Sequence, residues 1–287
     1  MLYFILILAV IVFFVIMLDL FIASMYRNRK ESHHETPAKY DIAYEDINIP
    51  LPKEARLYGW WIPASPRAPT IILVHGWGRN LSRMLQYISY LYPLGYNLLA
   101  FDARNHGSSS PEKHPTVGTF SEDTLAAINY VTQSGLTSSS EFGIIGLSIG
   151  GGAAINAASV DHQVKSVITV GALSHPVEVM NLEFQKRKIP GIIPKLLFRY
   201  IKFRFGIDFN KIAPVNNINK ADADILLVHG DKDVTVPLAQ GQALEKSSNS
   251  EKTHLWVVPD RGHSDCESHP EFWERVGVFL KKTLPVS

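Results

Sequence analysis

The spacing of apolar residues changes character twice along the chain. Residues 2–26, "LYFILILAVIVFFVIMLDLFIASMY", are apolar almost throughout and hold one charge, Asp19. At 1.5 Å per residue they make about 36 Å of helix, enough to cross a bilayer core. Residues 27–41 then turn polar and include Pro37, the pattern of a linker. From residue 42 onward, short apolar runs alternate with amphipathic stretches. Strands are predicted over 42–49, 55–62, 70–76, 96–102, 142–148, 164–172, 224–231 and 254–259. Helices are predicted over 81–95, 119–135, 150–159, 238–247 and 270–284. The second of these has Thr119 and Glu122 spaced as a capping box and Gly135 at its end.

Strands alternating with helices predict an α/β fold: a mostly parallel, eight-stranded sheet with helices on both faces. "TIILVHG" and "FGIIGLS" are short continuous apolar runs, as for strands buried on both sides. The rhythm breaks between Ser174 and Asp222, a gap too long for an ordinary loop. The gap holds helical and aromatic content, with nine Lys or Arg against four Asp or Glu. It reads as a locally basic inserted cap over the strand ends. The expected organisation is an anchor at 1–26, a linker at 27–41, a core at 42–173 and 223–287, and the cap at 174–222.

The first segment also invites reading as a cleaved signal peptide. Against that, no Lys or Arg precedes the apolar run, the run exceeds a normal signal core, and Ile22-Ala23-Ser24 is a weak cleavage site. A retained single span is expected. Arg27, Arg29 and Lys30 flank only its C-terminal side, which places the following domain in the cytoplasm. A net charge of +1 gives no field that would attract nucleic acid. Cys266 is the one cysteine, so no intramolecular disulfide can form. No metal-ligand cluster or phosphate-binding loop is present, and no cofactor is expected.

In such sheets ligands sit beyond the C-terminal ends of the strands. At one such end stands Gly146-Leu147-Ser148-Ile149-Gly150, a G-x-S-x-G between a predicted strand and a predicted helix. A serine on that turn is held clear of the sheet, and small neighbours let the backbone fold tightly. A serine hydroxyl needs a general base, and the base needs a carboxylate to orient it. "LLVHGDKDVTVP" supplies two aspartates past a later strand. Asp233 lies far enough out to reach a neighbouring loop; Asp231 is the alternative, close enough to the strand to serve the turn. Of eleven histidines, His263 follows the last strand and a glycine. His254 falls at a strand start, His269 before the last helix, His33 and His34 in the linker, and His229 inside a strand. The oxyanion needs two donors. The N–H of Ile149 and the N–H of Trp77, after His75-Gly76, are the candidates. Substrate-binding residues stay unassigned.

These stretches, with "FDARNHGSS" after the fourth strand, resemble the α/β-hydrolase family over residues 42–283. The resemblance implies a serine hydrolase with Asp233 as the acid, a cap at 174–222, and Asp102, Arg104 and His106 as supporting residues. The chain is similar to bacterial single-span members described as esterases or lysophospholipase-like hydrolases. It lacks the HGGG loop of one lipase and esterase branch. Serine at 148, in place of aspartate, separates it from the dehalogenase and epoxide-hydrolase branches. The expected activity is cleavage of carboxylic esters or thioesters, with a small-molecule or lipid ester as partner. A peptidase, an acyltransferase or a membrane-tethered binding module are the alternatives.

Overall fold

Alternate residues of the central strands point into two separate cores. Ile71 and Leu73 pack to one side of the sheet with Leu98, Ala100 and Ile145. Ile72 and Val74 pack to the other with Leu99, Phe101 and Ile144. Both sets are almost fully buried, which is why the sequence runs are continuously apolar rather than alternating. The computed structural model describes residues 1–28 and 30–286; of the basic flank read from the sequence, Arg29 lies outside the described residues.

The strands are β1 (Glu45–Pro50), β2 (Arg56–Ile62), β3 (Thr70–Val74), β4 (Asn97–Phe101), β5 (Phe142–Leu147), β6 (Val164–Val170), β7 (Asp224–Gly230) and β8 (Thr253–Val258). They form one sheet in the order β1-β2-β4-β3-β5-β6-β7-β8. β2 runs antiparallel to β1 and β4, and the remaining pairs are parallel. The helices are α1 (Leu2–Met25), α2 (Leu85–Leu91), α3 (Val117–Gln133), α4 (Ile149–Ala158), α5 (Pro176–Lys186), α6 (Ile192–Phe205), α7 (Leu238–Ser247) and α8 (Phe272–Thr283). α3, α4 and α7 contribute to one core and α2 and α8 to the other. This is the α/β-hydrolase fold.

Two local expectations need correction. α3 starts at Val117, not Thr119, and its cap is Thr116. Thr116 is extended, its hydroxyl accepts from the Thr119 N–H, and the Thr119 hydroxyl accepts from the Thr116 N–H. Burying Val117 draws the helix back by two residues, and Glu122 faces Arg104 instead. The single helix expected over 81–95 is a short α2 between two 3-10 turns, Leu81–Met84 and Tyr92–Leu94. Pro93 lacks the N–H that would continue the ladder, and Gly95 closes the turn at φ 89°.

α1 is long and apolar enough to cross a membrane, and almost all of it is exposed. The polar stretch after it is not a loose tether. Asn28 Nδ2 donates to the Asn105 carbonyl at 3.2 Å, and Lys30 Nζ donates to the Ser109 carbonyl. Asn80 Nδ2 reaches the carbonyls of Glu31 and Ser32, each at 3.1 Å. His33 Nε2 meets Asp102 Oδ2 at 2.7 Å. The insertion at 174–222 carries α5 and α6. Its base is pinned by Gln240 Oε1, which accepts from the Ser174 and His175 N–H groups at 3.0 and 3.2 Å.

Candidate active site

Ser148 stands between β5 and α4 at φ 54°, ψ −119°, a strained backbone for a residue with a Cβ. The turn closes so tightly that a Cβ on Gly146 would lie 2.2 Å from the Gly150 carbonyl oxygen. The strain is held by the Ser148 N–H, which donates to the Val170 carbonyl of β6 at 2.8 Å. The side chain is thereby set beyond the strand ends.

Two other strand ends converge on it. His263, past β8, places Nε2 3.0 Å from Ser148 Oγ. Its Nδ1 lies 2.7 Å from Asp233 Oδ2. With the Nδ1 proton donated to the carboxylate, Nε2 is free to accept from the serine. Asp233 is buried, and its other oxygen accepts from the Thr235 and Val236 N–H groups at 2.9 and 2.8 Å. A buried carboxylate so bonded is fixed in direction. Asp231 lies elsewhere: among the described residues its side chain has only Lys232, at 3.7 Å. The structure thus brings Ser148, His263 and Asp233 together and leaves Asp231 out.

Gly171 completes this geometry, and sequence reading missed it. It follows β6 at φ 62°, and a Cβ there would sit 3.1 Å from His263 Nδ1 and 3.4 Å from Asp233 Oδ2. The only signal in the sequence was a glycine at the end of the strand beside the serine.

The loop after β3 lies against the serine: a Cβ on Gly76 would be 3.4 Å from Ser148 Cβ. Among the described residues, neither the Trp77 N–H nor the Ile149 N–H donates to a protein acceptor. Three buried groups brace the loop. His75 Nδ1–H donates to the Gly76 carbonyl at 2.8 Å while Nε2 accepts from the Ala103 N–H at 3.0 Å. His106 Nε2 accepts from the Gly78 N–H at 3.2 Å and Nδ1–H donates to the Arg104 carbonyl at 3.0 Å. Both imidazoles are neutral: burial lowers the pKa of His75, and it pushes that of His106 down to about 4. Asp102 accepts from the Leu81 and Ser108 N–H groups, each at 2.8 Å. Burial alone would raise this carboxyl; the His33 contact and the two N–H donors outweigh it and hold the pKa below the ordinary value. Arg104 is clamped by Asp123 at 2.6 Å and Glu122 at 2.6 Å.

A cavity of about 260 Å³ opens on Ser148 and His263. Arg79, Arg83 and Thr235 line it with Trp77. Arg83 pairs with Glu267 at 2.5 Å, and the Tyr87 hydroxyl donates to the same carboxylate at 2.7 Å. No residue of 174–222 lines this cavity. The insertion carries its two helices, and its apolar side chains pack with those of α1.

Residues 69–197 match the family model described as "alpha/beta hydrolase fold". The chain is 26% identical to acylamino-acid-releasing enzyme 1 of Oryza sativa subsp. japonica, over 82% of this chain but 32% of that protein. It therefore spans about a third of that relative's length. It is also 26% identical to the uncharacterized protein YfhR of Salmonella typhimurium, over 86% of this chain and 82% of that one. In three dimensions it is similar to the Pyrococcus furiosus esterase Pf2001, with a TM-score of 0.72, 24% identity, and coverage of 90% of this chain and all of that one.

Proposed function

Since the chain belongs to the α/β-hydrolase family, we propose that it is a serine hydrolase acting on carboxylic esters or thioesters. The observation that carries this is the unbroken relay from Ser148 Oγ through His263 to Asp233, at 3.0 and 2.7 Å. In the proposed reaction His263 Nε2 takes the hydroxyl proton as Oγ attacks the carbonyl carbon. Asp233 keeps the ring in register and stabilises the imidazolium. The N–H groups of Trp77 and Ile149 receive the oxyanion. His263 then protonates the leaving alcohol or thiol, and an acyl-enzyme remains on Ser148. A water activated by the same histidine releases the acid and restores the serine.

The reading extends to location. α1 is proposed as a retained single span, with Arg27 and Lys30 after it keeping the catalytic domain on the cytoplasmic side. A span beside the domain favours a membrane-borne or small amphiphilic ester. The name of the rice relative supports a second reading, cleavage of an acylated amino acid from a peptide by the same three residues.

The test is labelling of the full chain in detergent with a fluorophosphonate probe, with Ser148→Ala as control. Wild type is expected to label and the variant not. Labelling of Ser148→Ala at the wild-type rate would overturn the assignment. A chain-length series of esters and thioesters, run beside acyl-peptides, then separates the two readings.

A further inference from the structure

The apolar residues of the insertion meet the anchor. Leu197, Phe198, Ile201 and Phe209 enclose Ile22 and Tyr26 in one small core. On α1, Leu18, Ile22 and Met25 make the contact stripe, at the i, i+4, i+7 spacing of one helix face. Asp19, beside that stripe, accepts from the Tyr200 hydroxyl at 2.7 Å and from Arg204 Nη2 at 3.1 Å. The anchor therefore runs into the insertion with no slack between them.

This fixes where the lipid must be. Residues 2–17, clear of the insertion, amount to about 24 Å of helix, short of the roughly 30 Å hydrocarbon core. Off that stripe, Leu20 and Phe21 remain 60% and 50% exposed. Acyl chains have to reach their level, and that level is where α6 packs. The outer side of α6 carries Ile192, Ile193, Leu196 and Phe203, all at least half exposed and Phe203 89% exposed. Between them stand Lys195 and Arg199, without carboxylate partners among the described residues. Lys186, Arg187 and Lys188 precede them.

We infer that the 174–222 insertion is a membrane seat rather than a roof over the serine. The outer side of α6 lies in the interface of a bilayer containing anionic phospholipid, with Phe203 among the upper acyl carbons and Lys195 and Arg199 at the phosphates. The inference rests on α1 being a span. Apolar side chains rimmed by cations are the chemistry of an in-plane interfacial helix. Because α6 is packed on α1 and pinned at its base by Gln240, the seat holds the whole domain at a set height and tilt.

The experiment uses the full chain in nanodiscs of zwitterionic and anionic phosphatidylglycerol lipids at about four to one. An environment-sensitive fluorophore is placed on Phe203→Cys, with Leu196→Cys as a second site. Native Cys266 is buried and does not compete. Phe14→Cys reports the span, and Val160→Cys, 64% exposed after α4, reports solvent. Quenching by a nitroxide at shallow acyl depth is read at each site. Quenching at 203 and 196 should exceed that at 160 by about threefold or more. Quenching at 203 and 196 no greater than at 160, with 14 quenched by a deep nitroxide, overturns the seat. No quenching at 14 overturns the span beneath it. In purely zwitterionic discs the signal at 203 should fall by about half, and an unchanged signal removes the anionic lipid from the inference. Fluorophosphonate labelling of Ser148 in each variant confirms folding. Failure of the wild-type chain to label, with the fluorophore on Phe203→Cys still quenched, refutes the hydrolase reading and leaves the seat standing.

Discussion

His33 stands in the polar stretch after α1, yet it holds a buried carboxylate at the base of the loops around the candidate site. Its Nε2 contacts Asp102 at 2.7 Å, and its ring stacks on Tyr58 at 5.1 Å and 20°. Asp102 is fully buried, and its remaining partners are the N–H groups of Leu81 and Ser108. His33→Ala takes one of three hydrogen bonds from that carboxylate. A hydrogen bond to a charged group contributes about 1.5–3 kcal/mol, and loss of the ring contact adds about 0.5–1 kcal/mol. The expected loss of folding stability is therefore about 2–4 kcal/mol.

The cost falls on loops that touch the site. Leu81 follows directly on the segment carrying Trp77, and Ser108 is part of the turn that carries His106. If half of the loss loosens Trp77, kcat falls about tenfold, since 1.4 kcal/mol is a factor of ten in rate. KM for a short ester should change little, because His33 is not among the residues lining the cavity. His33→Gln, whose amide can still donate to Asp102, should recover most of both losses. The assay pairs denaturant unfolding of the full chain in detergent with steady-state hydrolysis of a short-chain ester. Stability within about 0.5 kcal/mol of wild type, the range of ordinary surface changes, together with unaltered kcat would refute the brace. Loss in His33→Ala without recovery in His33→Gln would locate the effect in packing on Tyr58 instead.

Asp233→Asn should lower kcat by about 10³–10⁴-fold through loss of the correct histidine tautomer, while Asp231→Asn, at a side chain paired with Lys232 and away from His263, stays near wild type; reversed results would exchange their roles. Gly171→Ala forces a Cβ against His263 and Asp233 and places alanine at φ 62°. It should cost about 1–2 kcal/mol in backbone strain and slow fluorophosphonate labelling by about tenfold or more, and wild-type labelling would show that the relay has room to give. His106 is held neutral down to about pH 4 by burial. The unfolded chain takes up that proton near its ordinary value of about 6.5. The unfolded state therefore binds more protons across this window, and stability falls as pH drops from about 6.5 to 4, by up to about 3 kcal/mol. Denaturant midpoints of His106→Gln should be flatter over that window, and parallel curves would exclude His106 as the source.

Much of the sheet could be read in advance because its central strands are buried on both faces. That makes "TIILV", "NLLAF" and "FGIIGL" compact apolar runs bounded by turn residues. The meeting of Ser148, Asp233 and His263 follows from the same source, since each sits just past the C-terminal end of a parallel strand. What could not be read has one physical character: polar contacts between segments far apart in sequence. The stretch 28–35 has the composition of a tether, and nothing local distinguishes His33 from His34. Only the fold, by carrying Asp102 across 69 positions, makes the first a partner. The insertion shows the same limit for apolar residues. Its sequence announces amphipathic helices but not which side meets what. Leu197, Phe198 and Ile201 face inward onto α1, while Ile192, Leu196 and Phe203 face outward. The inward residues join the insertion to α1, while the arginine-lined cavity beside Trp77 opens on the serine.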